Sequence, residues 1–226
     1  MSKWNKETTT NEILEGLDLS GKKVLVTGAS GGLGEETARA LAAAGASVIM
    51  AARDNTKNLE AKERILSSNS EAKLELHELN LASLEDVRSS AEEFLSKNES
   101  LDLLVNNAGI MCTPFGHTTD GFEQQFGVNH LGHYLFTGLM MPALEKSGAS
   151  RVVCLSSGAH LICGVNLDDP MFERRDYDGW DSYGQSKSAN ALFAREFDRR
   201  YAEKGIHAFS VHPGMIFTEL GRHMTE

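Results

Sequence analysis

Residues 23–45 read KVLVTGASGGLGEETARALAAAG, and this passage decides the fold. A short apolar run, KVLVT (23–27), is followed at once by the glycine-rich TGASGGLG (27–34) and then by a helical pattern ending at Gly45. Strand, glycine turn and helix in that order are the context in which such glycines hold a dinucleotide pyrophosphate. Gly28 allows the sharp turn, Gly32 lets the backbone approach the pyrophosphate, and Gly34 permits close packing of helix on strand. Ser30, Gly31 and Leu33 complete the candidate loop. The helix start adds free N–H groups and the positive end of its dipole. A glycine-rich turn without ligand is the alternative.

Outward from this passage, apolar runs and helical patterns alternate. Strands are expected at 47–52 (SVIMAA), 73–79, 101–106 (LDLLVN), 151–156 (RVVCLS) and 207–212. Helices are expected at 56–68, 84–98, 120–146 (one long helix or two joined) and 180–204. Nearly continuous apolar strands alternating with helices signal a parallel sheet covered on both faces. Right-handed crossovers then leave an α/β, doubly wound parallel sheet of Rossmann type. We expect one domain over 21–226 after an N-terminal extension, 1–20. A sheet of this plan ordinarily adds a further strand and pocket-closing helices, so a missing C-terminal part is expected.

The chain has 226 residues, enough for one sizeable core. Its formal net charge of −10 disfavours nucleic acid or an anionic membrane as a general partner. Cys112, Cys154 and Cys163 form no CxxC pair, and Cys112 and Cys154 read as buried structural thiols in a reducing cytoplasm. The first 20 residues hold no apolar segment of signal or transmembrane length, so a cytoplasmic protein without a membrane anchor is expected.

Three further sites read as ligand-facing. After the second strand the chain continues AARD. Arg53 offers a planar, permanently charged fork suited to a 2′-phosphate, which favours NADP(H) over NAD(H). Asp54 on ribose hydroxyls, or a surface Arg53, are the alternatives. Asn106, Asn107, Ala108 and Gly109 end the fourth strand, at the carboxyl edge where such sheets bind ligands, although a plain turn also uses Asn and Gly. Tyr183 and Lys187 in YGQSK share one helical face and form a plausible proton-transfer pair.

TGASGGLG, NNAG, Asn129 in FGVNHLGHYLF, Ser156-Ser157, YGQSK and HPG (212–214) arrive in the order of the short-chain dehydrogenase/reductase family, which the chain resembles over nearly its whole length. SKSANALFARE and HPGMIFTELGRHM are similar to the retinol-dehydrogenase and WW-domain-oxidoreductase-like branch, and LEGLDLSGK to its soluble bacterial members. The resemblance implies a catalytic tetrad of Asn129, Ser157, Tyr183 and Lys187, with Ser156 as the fallback for Ser157. Ser157 would hold the substrate oxygen and Asn129 would position a relay water. Lys187 would bind the nicotinamide ribose and, with a positively charged nicotinamide, lower the Tyr183 pKa. Pro213, Gly214 and Thr218 would lie at the nicotinamide end, with Met215, Ile216 and Phe217 lining the pocket or covering the sheet edge. Relatives often carry aspartate where this chain has Asn80. Asn80 can still bond the adenine amine region, with Leu81 as its apolar contact.

The implied activity is NADP(H)-dependent interconversion of a small-molecule carbonyl and an alcohol. The alternatives are a cofactor-binding regulatory protein on the same fold and a reductase of a carbon–carbon double bond. Dimers or tetramers through 120–146 and 180–204 are expected. His160, and His130 with His133, lack partners at ligand spacing, so no metal is expected. The interval 158–180 carries no readable pattern.

Overall fold

The computed structural model describes residues 4, 5, 7–216 and 218–222. Its six strands form one parallel sheet in the order β3-β2-β1-β4-β5-β6. These are β1 (Lys23–Thr27), β2 (Ser47–Ala52), β3 (Lys73–Glu78), β4 (Leu103–Asn106), β5 (Arg151–Leu155) and β6 (His207–Val211). The order reverses between β1 and β4, which opens a crevice at their carboxyl ends. The glycine loop follows β1 there, and Asn107–Gly109 follow β4.

Both faces of the sheet are covered. One cluster packs Val24, Val26, Val48 and Met50 beneath α2 (Gly32–Ala43) and α3 (Asn55–Ser68). The other packs Leu25, Leu104 and Val152 against α4 (Leu84–Lys97) and the long helical layer described below. Leu25, Leu104 and Val152 have no exposed surface; each such side chain contributes roughly 1.5–3 kcal/mol by leaving water. β3, at one edge, alternates exposed and covered positions along KLELHE, unlike the continuous apolar runs of β1 and β2. The short helix α1 (Thr10–Leu14) opens with a Thr9/Glu12 capping box. Arg39 of α2 donates to Thr10 Oγ1 and Asn11 Oδ1, tying the N-terminal segment to the sheet layer.

The expected helix over 120–146 is corrected in two places. Gly121 sits in the left-handed region (φ 83°), so the chain turns there and the helix begins only at α5 (Gln124–Phe126). Glu123 caps it, its carboxylate accepting from the N–H groups of Gln125 and Phe126. A π-helical turn at Gly127–Leu131 then leads into α6 (Gly132–Leu139). After Met140, Pro142 opens α7 (Met141–Ser147), since proline cannot donate into a continuing helix. The last long helix, α8, runs Gly179–Tyr201 and tightens into a 3-10 turn at Ala202–Lys204. Among the described residues no helix is long and apolar enough to cross a membrane.

Candidate active site

The glycine loop is shaped for a close backbone approach. A Cβ on Gly28 (φ 67°) would lie 2.8 Å from the Ala108 Cα, and one on Gly34 2.2 Å from the Gly28 carbonyl oxygen. Gly31 starts α2 without a side-chain cap, which leaves first-turn N–H groups available to an anion. Ser30, Gly31 and Leu33 are half-buried around this mouth. Thr218 reaches it from the C-terminal loop, its side chain 3.4 Å from where a Gly32 Cβ would stand. A dinucleotide pyrophosphate fits this cradle.

Asn107 supports the loop more than it faces a ligand. Its side-chain nitrogen donates to the Thr27 carbonyl oxygen at 2.8 Å. Thr27 Oγ1 in turn accepts from the N–H groups of Asn107 and Ala108, both at 2.9 Å. With both lone pairs used, the Thr27 hydroxyl donates its proton to His133 Nε2 at 2.8 Å. His133 is therefore the Nδ1–H tautomer, donating to the Asn129 carbonyl oxygen at 3.0 Å. Complete burial pushes its pKa down to about 4, so the ring stays neutral.

Arg53 is exposed after β2 and makes no hydrogen bond or ion pair within the described residues. Asp54 instead caps α3, accepting from the Lys57 N–H. Asn80 closes its own turn by accepting from Ala82 N–H, and donates to the Asp86 carboxylate at 2.8 Å. Leu81 belongs to the core cluster and packs on Gly132, so little of its surface faces the crevice. Pro213 and Gly214 are exposed beyond β6, as are Met215 and Ile216; Phe217 lies outside the described residues.

Tyr183, Lys187 and Asn190 recur at one face of α8, four and then three residues apart. Ser157 lies against the Tyr183 phenol as a hydrogen-bond partner. Ser156 points inward and donates to the Lys187 carbonyl oxygen at 2.9 Å. Lys187 Nζ lies 5.4 Å from the Tyr183 ring centre, donates to the Leu155 carbonyl oxygen at 3.1 Å, and is next to Gly109. Ser157, Tyr183, Lys187 and the glycine loop thus converge on one crevice.

The protein's own groups act on Tyr183 against the expected direction, which also calls on a positively charged nicotinamide, and the expectation for Cys112 needs correction. The Tyr183 pKa is raised, because burial disfavours the phenolate more than Ser157 stabilises it. Lys187 does not offset this: burial disfavours its own charge and brings its pKa down to about 8. Cys112 is half-buried in a left-handed conformation (φ 50°), not a core thiol. Its thiol lies close enough to Tyr183 to disfavour the phenolate further.

Asn129 is fully engaged as a clamp. Its side-chain nitrogen donates to the Ile110 carbonyl oxygen and Ser186 Oγ, and its oxygen accepts from Ile110 N–H. Its main-chain carbonyl accepts from His133 and from Asn190 Nδ2. Asn190 also donates to the Leu155 carbonyl oxygen that holds Lys187. His133 and Asn190 were not recognised from sequence, though each stands one helical turn from a recognised residue. His130 bonds Asn190 through Nδ1, and His160 bonds the Ser157 carbonyl. Among the described residues no group of three His, Cys, Asp or Glu side chains could hold a metal ion.

The short chain dehydrogenase family model matches residues 22–226. Mouse retinol dehydrogenase 12 is 43% identical over 207 residues, covering 92% of this chain and 65% of that protein. Human retinol dehydrogenase 13 is 42% identical over 205 residues, covering 91% of this chain and 62% of its own length. This chain therefore spans somewhat less than two thirds of either relative. An uncharacterized protein from Mycobacterium paratuberculosis has a crystal structure 41% identical to this chain, with a TM-score of 0.79, covering 92% of this chain and 73% of that one. The matched span takes in every element from β1 to β6, and the chain belongs to the short chain dehydrogenase family.

Proposed function

We propose that the protein interconverts a carbonyl and an alcohol with NADP(H), using Tyr183 as the proton-transferring group. The convergence of Ser157, Tyr183 and Lys187 beside an uncapped helix start carries this reading. The bound nicotinamide supplies or accepts the hydride. As charge develops on the carbonyl oxygen, the Ser157 hydroxyl donates a hydrogen bond to it and the Tyr183 phenol gives it a proton. A phenol held in its acid form by burial suits the reducing direction. Lys187, anchored at the Leu155 carbonyl, has remaining N–H groups for a ribose hydroxyl. Asn129 orients the strip after Gly109 through Ile110. We assign Gly28, Ser30, Gly31, Gly32, Leu33 and Gly34 to the pyrophosphate. Asn107, Ala108 and Gly109 line the crevice wall, and Pro213, Gly214 and Thr218 its nicotinamide end. Asn80 contacts the adenine region, and Leu81 contributes only from beneath.

The free Arg53 fork, with Asp54 already used as a helix cap, supports a 2′-phosphate and so NADP(H). Tyr134 on α6 and Leu192 on α8 are exposed apolar side chains on the helices expected to mediate self-association, which supports a homodimer or larger assembly. A panel of aldehydes and ketones, assayed with NADPH and NADH in parallel, tests the reading. Turnover with NADPH that Tyr183→Phe abolishes, while NADPH still binds, is expected. NADPH binding with no turnover across the panel would favour a regulatory protein, and reduction of an enone at carbon–carbon would favour the other alternative.

A further inference from the structure

The interval between Ser157 and α8 is long and, beyond a short 3-10 turn at Gly158–Leu161, contains no helix or strand. Unstructured loops longer than about 12–15 residues inside a compact domain are usually functional or disordered. This one is anchored throughout. Asp169 is buried, and its carboxylate accepts from the N–H groups of Glu173, Arg174 and Arg175 at 2.8, 3.0 and 3.1 Å. Gln185 of α8, also buried, accepts from Asn166 N–H at 3.0 Å and donates to the Pro170 carbonyl at 2.8 Å. Ser188 donates to the Cys163 carbonyl at 2.7 Å.

The end of the interval meets the loop after β4 at one side chain. Gln125 has no exposed surface. Its oxygen accepts from Cys112 N–H at 2.9 Å, and its nitrogen donates to the Gly179 carbonyl at 2.9 Å and to Tyr177 Oη at 2.8 Å. Tyr177 Oη donates onward to the Thr113 carbonyl at 3.0 Å. The two backbones nearly touch, since a Cβ on Gly179 would lie 3.2 Å from the Cys112 Cα. Cys112 needs such a partner, because a non-glycine residue in the left-handed region (φ 50°) is strained and persists only where its surroundings hold it. Tyr183 stands one helical turn beyond Gly179, with the Trp180 ring 6.4 Å from its own. Loop 110–113, through Cys112, and segment 177–180, through Trp180, therefore border the Tyr183 side chain together.

We propose that Gln125 is a positioning residue that clamps the interval before α8 to the loop after β4, fixing the substrate-side wall beside Tyr183. The wall is a rigid specificity element, not a lid, and an alcohol or carbonyl substrate meets it while the nucleotide does not. This consequence rests on the carbonyl–alcohol reading; the clamp itself does not.

Two variants test it: Gln125→Met removes the whole clamp, and Tyr177→Phe removes only its half-buried outer arm. Amide hydrogen exchange should accelerate about tenfold in both 110–113 and 172–179 while the glycine loop is unchanged, as expected when a buried hydrogen bond linking two segments is lost. With NADPH and straight-chain aldehydes from propanal to decanal, KM should rise about tenfold, with kcat within about threefold and the NADPH Kd within about twofold of wild type. Acceleration in one segment alone, or an equal loss of NADPH affinity, would overturn the proposal. If the wild type reduces no aldehyde or ketone, the carbonyl reading fails. Coupled exchange would then still support the clamp, and unchanged exchange would overturn it.

Discussion

Replacing His133 with glutamine should remove a large part of the protein's sensitivity to mild acid. His133 is buried neutral between Thr27 and Asn129, and its folded-state pKa is pushed down to about 4. In the unfolded chain it returns to about 6.5. The unfolded state therefore binds a proton first, and stability falls as pH drops below about 6.5, until the loss saturates below about 4. The full loss is about 3 kcal/mol, and about 2 kcal/mol of it is reached at pH 5. Glutamine keeps a donor and an acceptor but cannot titrate. At pH 7 it should cost about 1–2 kcal/mol through poorer hydrogen-bond geometry. Burial also holds His77 and His130 down; both are kept in the variant, and the charge of His130 acts on His133 less than burial does. Urea unfolding at pH 7 and pH 5 measures the effect. The wild type should lose about 2 kcal/mol more than the variant across that interval. Curves parallel to within about 0.5 kcal/mol would refute the assignment of a neutral, doubly bonded His133.

Arg53→Ala should weaken NADPH binding at least tenfold and NADH binding less than about twofold, since only the 2′-phosphate uses the guanidinium; calorimetric titration of both nucleotides checks it, and equal losses would count against the assignment. Ser157→Ala should lower kcat about 100-fold by removing a donor to the developing oxyanion. Ser156→Ala should keep turnover but cost about 1 kcal/mol of stability, because its hydroxyl serves the Lys187 carbonyl. Steady-state kinetics paired with thermal melts separates the two serines. Leu192→Glu should shift light-scattering mass toward the monomer, and an unchanged mass would remove α8 from the interface.

The fold was legible because β1, β2, β4 and β5 are apolar runs punctuated by glycines whose positions a turn demands. Helix starts were harder to place. The stretch 120–123 (DGFE) before α5 reads as helical, and only the left-handed Gly121 and the buried Glu123 cap show that it is a turn. At the site, the YxxxK spacing placed Tyr183 and Lys187 on one face of α8, whereas the different contacts of the two serines, Ser157 at the phenol and Ser156 at the Lys187 carbonyl, were not encoded in their spacing. Two more things were illegible. The Tyr183 pKa depends on burial, which no local spacing encodes. The contacts of Gln125, Gln185 and Asp169 join segments far apart in the chain, so the interval 158–180 carries no pattern of its own.

The central claim is that the phenol of Tyr183 passes a proton to a substrate oxygen while the carbon it is bonded to receives hydride. Transfer of deuterium from 4,4-dideuterated NADPH to a carbonyl substrate, read by mass spectrometry of the alcohol, tests it most directly. The wild type should yield alcohol with one deuterium on the carbinol carbon, and Tyr183→Phe should yield none while still binding the nucleotide. Equal label from both proteins, or none from a nucleotide-saturated wild type, would contradict the account.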